Sequence, residues 1–153
     1  MPGLALKIVP PFQVLFLGGI MWLIHRYFPI AHVHTGYNFL VSRILLYLCL
    51  AIFGAALYQF WRHQTTVNPR KIEQTSTLIT RGVYAWSRNP IYVVDVLLLL
   101  AWAIWLGTWI NLALPLVFIW FVTRFQIVPE EAMLLQKFGD EYSQYNRRTR
   151  RWI

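Results

Sequence analysis

Cysteine is nearly absent: the chain has one, Cys49, within an apolar stretch. That excludes an intrachain disulfide and points to a packing role. Acidic residues are almost as scarce, six against fourteen lysines and arginines. Charged residues of both signs make up only 13% of the 153 positions, whereas 58% are hydrophobic and 17% aromatic. A soluble domain of this length needs more charge than that. Internal repeats and low-complexity tracts are missing too, which excludes solenoids and propellers. The alternation of a membrane barrel is also missing. An all-α, polytopic membrane helical bundle remains, because backbone groups in lipid must be satisfied within helices or closed barrels. The whole chain, 1–153, reads as one membrane domain.

Four apolar segments stand out, at 12–28, 39–61, 91–106 and 109–128, so about four transmembrane helices are expected. The first is followed by His25 and Arg26 rather than by a small-residue cleavage site, and is expected to stay as a helix. The third spans only about 25 Å as a helix, a little short of a hydrocarbon core. Gly107 and Thr108 alone separate it from the fourth, which predicts a tight helical hairpin. Pro115 falls inside the fourth, where a membrane helix tolerates a kink. With the N-terminus inside, every lysine and arginine except Arg26 and Arg43 falls on the cytoplasmic side. The positive-inside rule thus places both termini in the cytoplasm. The net charge of +8 collects where anionic headgroups lie and carries no nucleic-acid motif, so the expected contact is membrane lipid. Nothing in the sequence specifies an oligomeric state.

The polar matter gathers on that cytoplasmic side, in the loop 62–90 and the tail 129–153. Both are long enough to be functional, and their aromatic residues and prolines argue for order. In the tail Glu131, Leu135, Phe138, Tyr142 and Tyr145 recur at spacings of four and three, the stripe of an amphipathic helix that Gly139 and Asp140 can divide. An interfacial anchor with Trp152 at the headgroups has the same pattern, but it leaves Glu131 on the apolar face unexplained. Asn89 and Pro90 are a favoured N-cap and first helical residue. The same pair directs helix N–H groups at anything lying outside, with Arg88 as a bidentate donor beside it. Asp95 stands one turn inside the third helix, where a carboxylate is costly; function and structural pairing compete evenly for it. No metal is expected: His25, His32 and His34 fall on the opposite side of the membrane, and His63 has no evident partner.

The blocks "TTVNP", "TLITRGVYAWSRNPIY" and "RFQIVPEEAMLLQKFGDEYSQYNRRTRRW" resemble, in order and spacing, the isoprenylcysteine carboxyl methyltransferase family and its bacterial and archaeal relatives, which extend into the phospholipid methyltransferases. The resemblance covers 65–152. It implies an integral membrane enzyme that transfers a methyl group from S-adenosylmethionine to a lipophilic acceptor, leaving S-adenosylhomocysteine. On that likeness 62–153 is the cofactor-binding core and 1–61 an N-terminal helical hairpin. Arg88, Asn89, Pro90 and Tyr92 match the family's cofactor motif, and Gly82 and Tyr84 the segment before it. Glu130 and Glu131 match its acidic pair, and Arg124 a basic position that faces the acceptor. Val94 departs from the usual glycine, and Asn89 replaces the histidine of the eukaryotic branch, which implies a prokaryotic source and its inner membrane.

The residue chemistry suits that cofactor. Arg88 and the helix N-terminus fit its carboxylate, and Glu130 or Glu131 its ammonium or ribose hydroxyls. Tyr84, Trp86, Tyr92, Tyr142 and Tyr145 offer faces for adenine and the sulfonium. Arg124 would position a carboxylate acceptor; an amine or thiol would pass a proton to Glu130 or Glu131. Asp95 would read a polar group entering from the bilayer. Two other readings compete: a four-helix proton-coupled transporter using Asp95, and a non-catalytic scaffold that tolerates loss of Arg88, Asn89 and Glu131.

Overall fold

The computed structural model describes residues 10–28, 35–63 and 77–153. The calls on His32 and His34 and on the "TTVNP" block lie outside them. Five α-helices, with no β-strand among the described residues, follow in order: α1 Pro10–Tyr27, α2 Asn38–Arg62, α3 Pro90–Leu106, α4 Ala113–Val122 and α5 Val128–Arg148. Short 3-10 turns at Gly82–Ala85 and Trp109–Leu112 precede α3 and α4, and a π-turn at Thr123–Ile127 joins α4 to α5.

Two helical stretches are long and apolar enough to cross a membrane, Asn38–Arg62 and the continuous run Trp109–Arg148. That is fewer than the four expected. At 17 residues α3 is shorter, and α1 carries Gln13, His25 and Arg26 in its 18. The outward side of α2 is a sheet of exposed Phe39, Ile44, Tyr47, Leu50 and Trp61, a surface compatible with lipid.

At the centre α3 packs against α2, α1 and α4. Met21, Tyr92, Leu99, Ala103, Phe118, Val122 and Ile127 form one core cluster, and Ala56, Ile79 and Tyr84 a second that pins the 3-10 turn to α2. Cys49 is buried in the α2–α3 contact, its Sγ 3.7 Å from the Val94 carbonyl. Polar ties lock the far end: the Asn111 amide donates to the Met21 carbonyl at 3.1 Å, and His25 Nδ1 shares a hydrogen bond with Thr108 at 3.0 Å.

The hairpin forms where expected. Gly107 takes a left-handed conformation (φ 64°) and its N–H closes onto Ala103 and Ile104, the usual glycine stop. The tail differs from expectation in being continuous with the fourth segment. Pro129 has no N–H to give the preceding turn, and the wider π-turn accommodates it without a break in the chain. The helix does divide at Gly139, where φ 51° and ψ −120° interrupt α5. The predicted stripe is accordingly split: Tyr142 and Tyr145 are buried beyond the kink, while Leu135 before it is exposed. Gly139→Ala is expected to cost about 1–3 kcal/mol, since side-chain-bearing residues rarely adopt that conformation. An unchanged thermal midpoint would show that the kink straightens freely.

Candidate active site

The sequence sets up the mouth of α3 locally, and the tail completes it. Pro90 is the first residue of α3 and is buried. Asn89 holds the cap position, but its side chain makes no capping bond. Its amide instead donates to the Arg151 carbonyl at 3.0 Å, and Ser87 Oγ accepts the Asn89 N–H at 3.1 Å. The capping role expected of Asn89 is thus replaced by a tie to the end of the tail.

That end, 149–152, runs alongside 85–89. The Arg88 N–H donates to the Arg150 carbonyl at 3.0 Å, Ser87 Oγ to the Arg151 carbonyl at 3.4 Å and Thr149 Oγ1 to the Ala85 carbonyl at 3.5 Å. Trp152 is half-buried against the core, with Nε1 donating to Thr123 Oγ1 at 3.3 Å. The end of the tail, 149–152, thus forms a strap over the mouth of α3.

The side chains converge under this strap. Glu131 accepts from Arg151 at both oxygens, 3.0 Å from Nε and 2.7 Å from Nη2, and its Oε1 lies 3.1 Å from Arg88 Nη2. Arg88 Nη1 donates to the Tyr142 hydroxyl at 3.3 Å. Tyr145 donates to the Tyr84 carbonyl at 2.7 Å, tying tail to loop, and Tyr92 donates to Glu130 Oε1 at 2.6 Å, tying α3 to α5. Burial raises the hydroxyl pKa of Tyr84, and the Glu131 hydrogen bond raises that of the Arg151 guanidinium. Tyr84 therefore stays a neutral donor and Arg151 a cation at any physiological pH.

Of the residues singled out in the sequence, Tyr84, Arg88, Asn89, Pro90, Tyr92, Glu130, Glu131, Tyr142 and Tyr145 come together. Arg124 does not: it is exposed on the π-turn and makes no ion pair among the described residues. Trp86 is 82% exposed and turns outward. Asp95 lies one turn deeper than Tyr92, buried, with Oδ2 lacking a hydrogen-bond partner. Arg151, Ser87 and Thr149 were missed. The excess of fourteen cations over six carboxylates makes an arginine partner for Glu131 foreseeable, but one basic run looks like another until the chain is folded. Among the described residues no group of three or more His, Cys, Asp or Glu gathers as metal ligands.

Fold and site define a helical protein with membrane-length apolar helices and an ion-paired, tyrosine-rich cluster at the mouth of one helix. The chain belongs to the phospholipid methyltransferase family, whose model matches residues 37–141. That span contains Arg88 to Tyr92 and the Glu130–Glu131 pair but stops short of Tyr142, Tyr145 and the strap. The chain is 32% identical to the human protein-S-isoprenylcysteine O-methyltransferase over 113 residues, 66% of this chain and 37% of that one. It is 28% identical to the Schizosaccharomyces pombe protein of the same name over 123 residues, 79% of this chain and 52% of that one. An uncharacterized Haemophilus influenzae protein is 44% identical over 62 residues, 40% of this chain and 98% of that one. The chain thus spans about a third to a half of the human and yeast relatives. No solved structure matches it.

Proposed function

We propose that this protein is an S-adenosylmethionine-dependent methyltransferase of the membrane, acting on a lipophilic acceptor. The observation that carries the reading is the assembly of Arg88, Glu131 and Tyr142, from distant parts of the chain, into one largely buried polar cluster. An unpartnered donor belongs to it: Arg88 Nε is buried without a hydrogen-bond partner, a costly state that an anionic ligand group relieves. The residues present fit the cofactor, with Arg88 for its carboxylate, Glu130 for its ammonium or ribose hydroxyls, and Tyr84, Tyr92, Tyr142 and Tyr145 as aromatic neighbours. When bound, S-adenosylmethionine supplies an electrophilic methyl group for in-line displacement. The protein's part is positioning and exclusion of water, and the strap and α5 provide both by covering the mouth of α3.

On this reading the chain is a single domain, with 62–153 as the cofactor-binding core. We place it in the cytoplasmic membrane of a prokaryote with α1 and α3 also embedded and both termini inside, which the distribution of lysine and arginine supports. The comparisons lend no support to a proton-coupled transporter. Calorimetric titration of S-adenosylmethionine and S-adenosylhomocysteine into the protein in lipid nanodiscs tests the reading. Wild type is expected to bind both, and Arg88→Ala to bind about 10- to 100-fold more weakly, the worth of a charge-assisted pair. Arg88→Ala leaves Glu131 held by Arg151, so the variant should stay folded. Failure of folded wild type to bind either compound would overturn the proposal.

A further inference from the structure

Trp86 has no part in the cluster. Its indole is 82% exposed, although the backbone on either side of it is tied down: the Ala85 carbonyl accepts from Thr149, and the Arg88 N–H donates to the Arg150 carbonyl. These pairings set Trp86 beside 149–150 of the strap. Ser87 and Thr149 are buried and Arg151 turns in to Glu131, which leaves Trp86 and Arg150 on the outer surface. Arg147 and Arg148, in the last turn of α5 just before the strap, are exposed as well. None of these three arginines makes an ion pair among the described residues. The exposed carboxylates Asp140 and Glu141 lie just beyond the kink, about 10 Å back along the helix. Cations suit a helix C-terminus, and that accounts for Arg147 and Arg148 by themselves. It does not account for Arg150 or for the indole beside it, both outside α5. Indole and guanidinium together settle at a membrane interface, the ring among the headgroups and the cations on phosphate.

We propose that this outer face of loop and strap docks onto anionic phospholipid headgroups, and that docking holds the strap closed over the mouth of α3. This rests on the membrane placement and the methyltransferase reading above and adds a regulator to that site. The patch adjoins Pro90, where the apolar α3 begins, which favours a bilayer over a nucleic acid as the partner. A lipid phosphate accepting from Arg150, with Arg147 and Arg148 beside it, fixes the residue whose carbonyl receives the Arg88 N–H. Its neighbour Arg151 is the one that grips Glu131 at both oxygens. Lipid and cofactor then favour the same closed arrangement, so each raises the affinity for the other.

The full chain is tested in detergent and in nanodiscs. In detergent, native mass spectrometry counts dioctanoylphosphatidylglycerol and dioctanoylphosphatidylcholine bound to wild type, to a double variant carrying Arg147→Gln and Arg148→Gln, to Arg150→Gln and to Trp86→Ala. In nanodiscs of phosphatidylcholine, with and without phosphatidylglycerol, hydrogen exchange follows residues 86–89 and calorimetry follows S-adenosylhomocysteine. Wild type is expected to prefer phosphatidylglycerol by about tenfold or more and to lose the preference in high salt. The double variant and Arg150→Gln should each lose most of that preference, and Trp86→Ala should bind both lipids more weakly. Phosphatidylglycerol should slow exchange at 86–89 and raise the affinity for S-adenosylhomocysteine about fivefold or more. The double variant should show neither effect while matching wild type in phosphatidylcholine. Equal binding of the two lipids would overturn the proposal, as would a preference that survives the arginine substitutions. So would displacement of phosphatidylglycerol by inorganic phosphate or by a single-stranded oligonucleotide at equal concentration. Exchange at 86–89 that is indifferent to phosphatidylglycerol would overturn the closing of the strap. All four side chains are exposed, so the variants should fold; should one fail, the wild-type lipid preference and exchange decide. S-adenosylhomocysteine that binds in neither nanodisc fails the methyltransferase reading, and the lipid counts and exchange still decide the docking surface.

Discussion

Glu131→Ala is expected to destabilise the protein by about 3–5 kcal/mol, the cost of stripping a buried charge of its counter-ion. The effect falls mainly on Arg88. Its side chain is 8% exposed, and without Glu131 it keeps only the Tyr142 hydroxyl at 3.3 Å as a side-chain partner among the described residues. Arg151, 38% exposed, can turn into water at little cost. Thermal unfolding in a fixed detergent should show a midpoint lower by about 6 °C or more, with Glu131→Gln between the two. Pairing Glu131→Ala with Arg88→Met should restore much of the stability and none of the cofactor affinity, because the orphaned charge is then gone. A single variant as stable as wild type would show that water reaches Arg88 and that the pair is not needed for the fold.

Removal of residues 149–153 should cost the proposed cofactor affinity about 100-fold or more while leaving the helices in place. Strap carbonyls accept from the Arg88 N–H, the Asn89 amide and the Ser87 hydroxyl, and the Arg151 side chain grips Glu131. Each of these hydrogen bonds is worth about 1 kcal/mol, and together they set the direction of every charged group at the mouth of α3. None of them lies within a helix, so circular dichroism should hold steady as affinity in calorimetry falls. Arg151→Lys is the finer probe, since a lysine cannot make the two-point contact with Glu131; an approximately tenfold loss is expected. Wild-type affinity in the shortened protein would remove the strap from the site.

Much of the local architecture was legible in the residues. Pro90 starts α3, Gly107 stops it, and Gly139 breaks the tail, because each has a backbone preference that acts within one turn. The motif blocks also carried the family, and the second and third of them the residues that converge. Where a local rule was applied beyond its reach, it failed. Asn89 has the chemistry of a cap, yet a carbonyl 62 positions away takes its amide. Trp152 has the chemistry of a headgroup anchor, yet the core and Thr123 hold it.

The sequence by itself determined that the chain is helical and lipid-compatible and that its polar chemistry concentrates beside one helix start. Those properties follow from composition and short-range periodicity, which do not depend on how the chain returns on itself. Only the tertiary structure decided which arginine meets which glutamate, that Arg124 stays outside the cluster, and that Asp95 is left without a partner. Pairing among chemically similar side chains is settled by distance, and distance between residues far apart in the chain exists only once the core has packed.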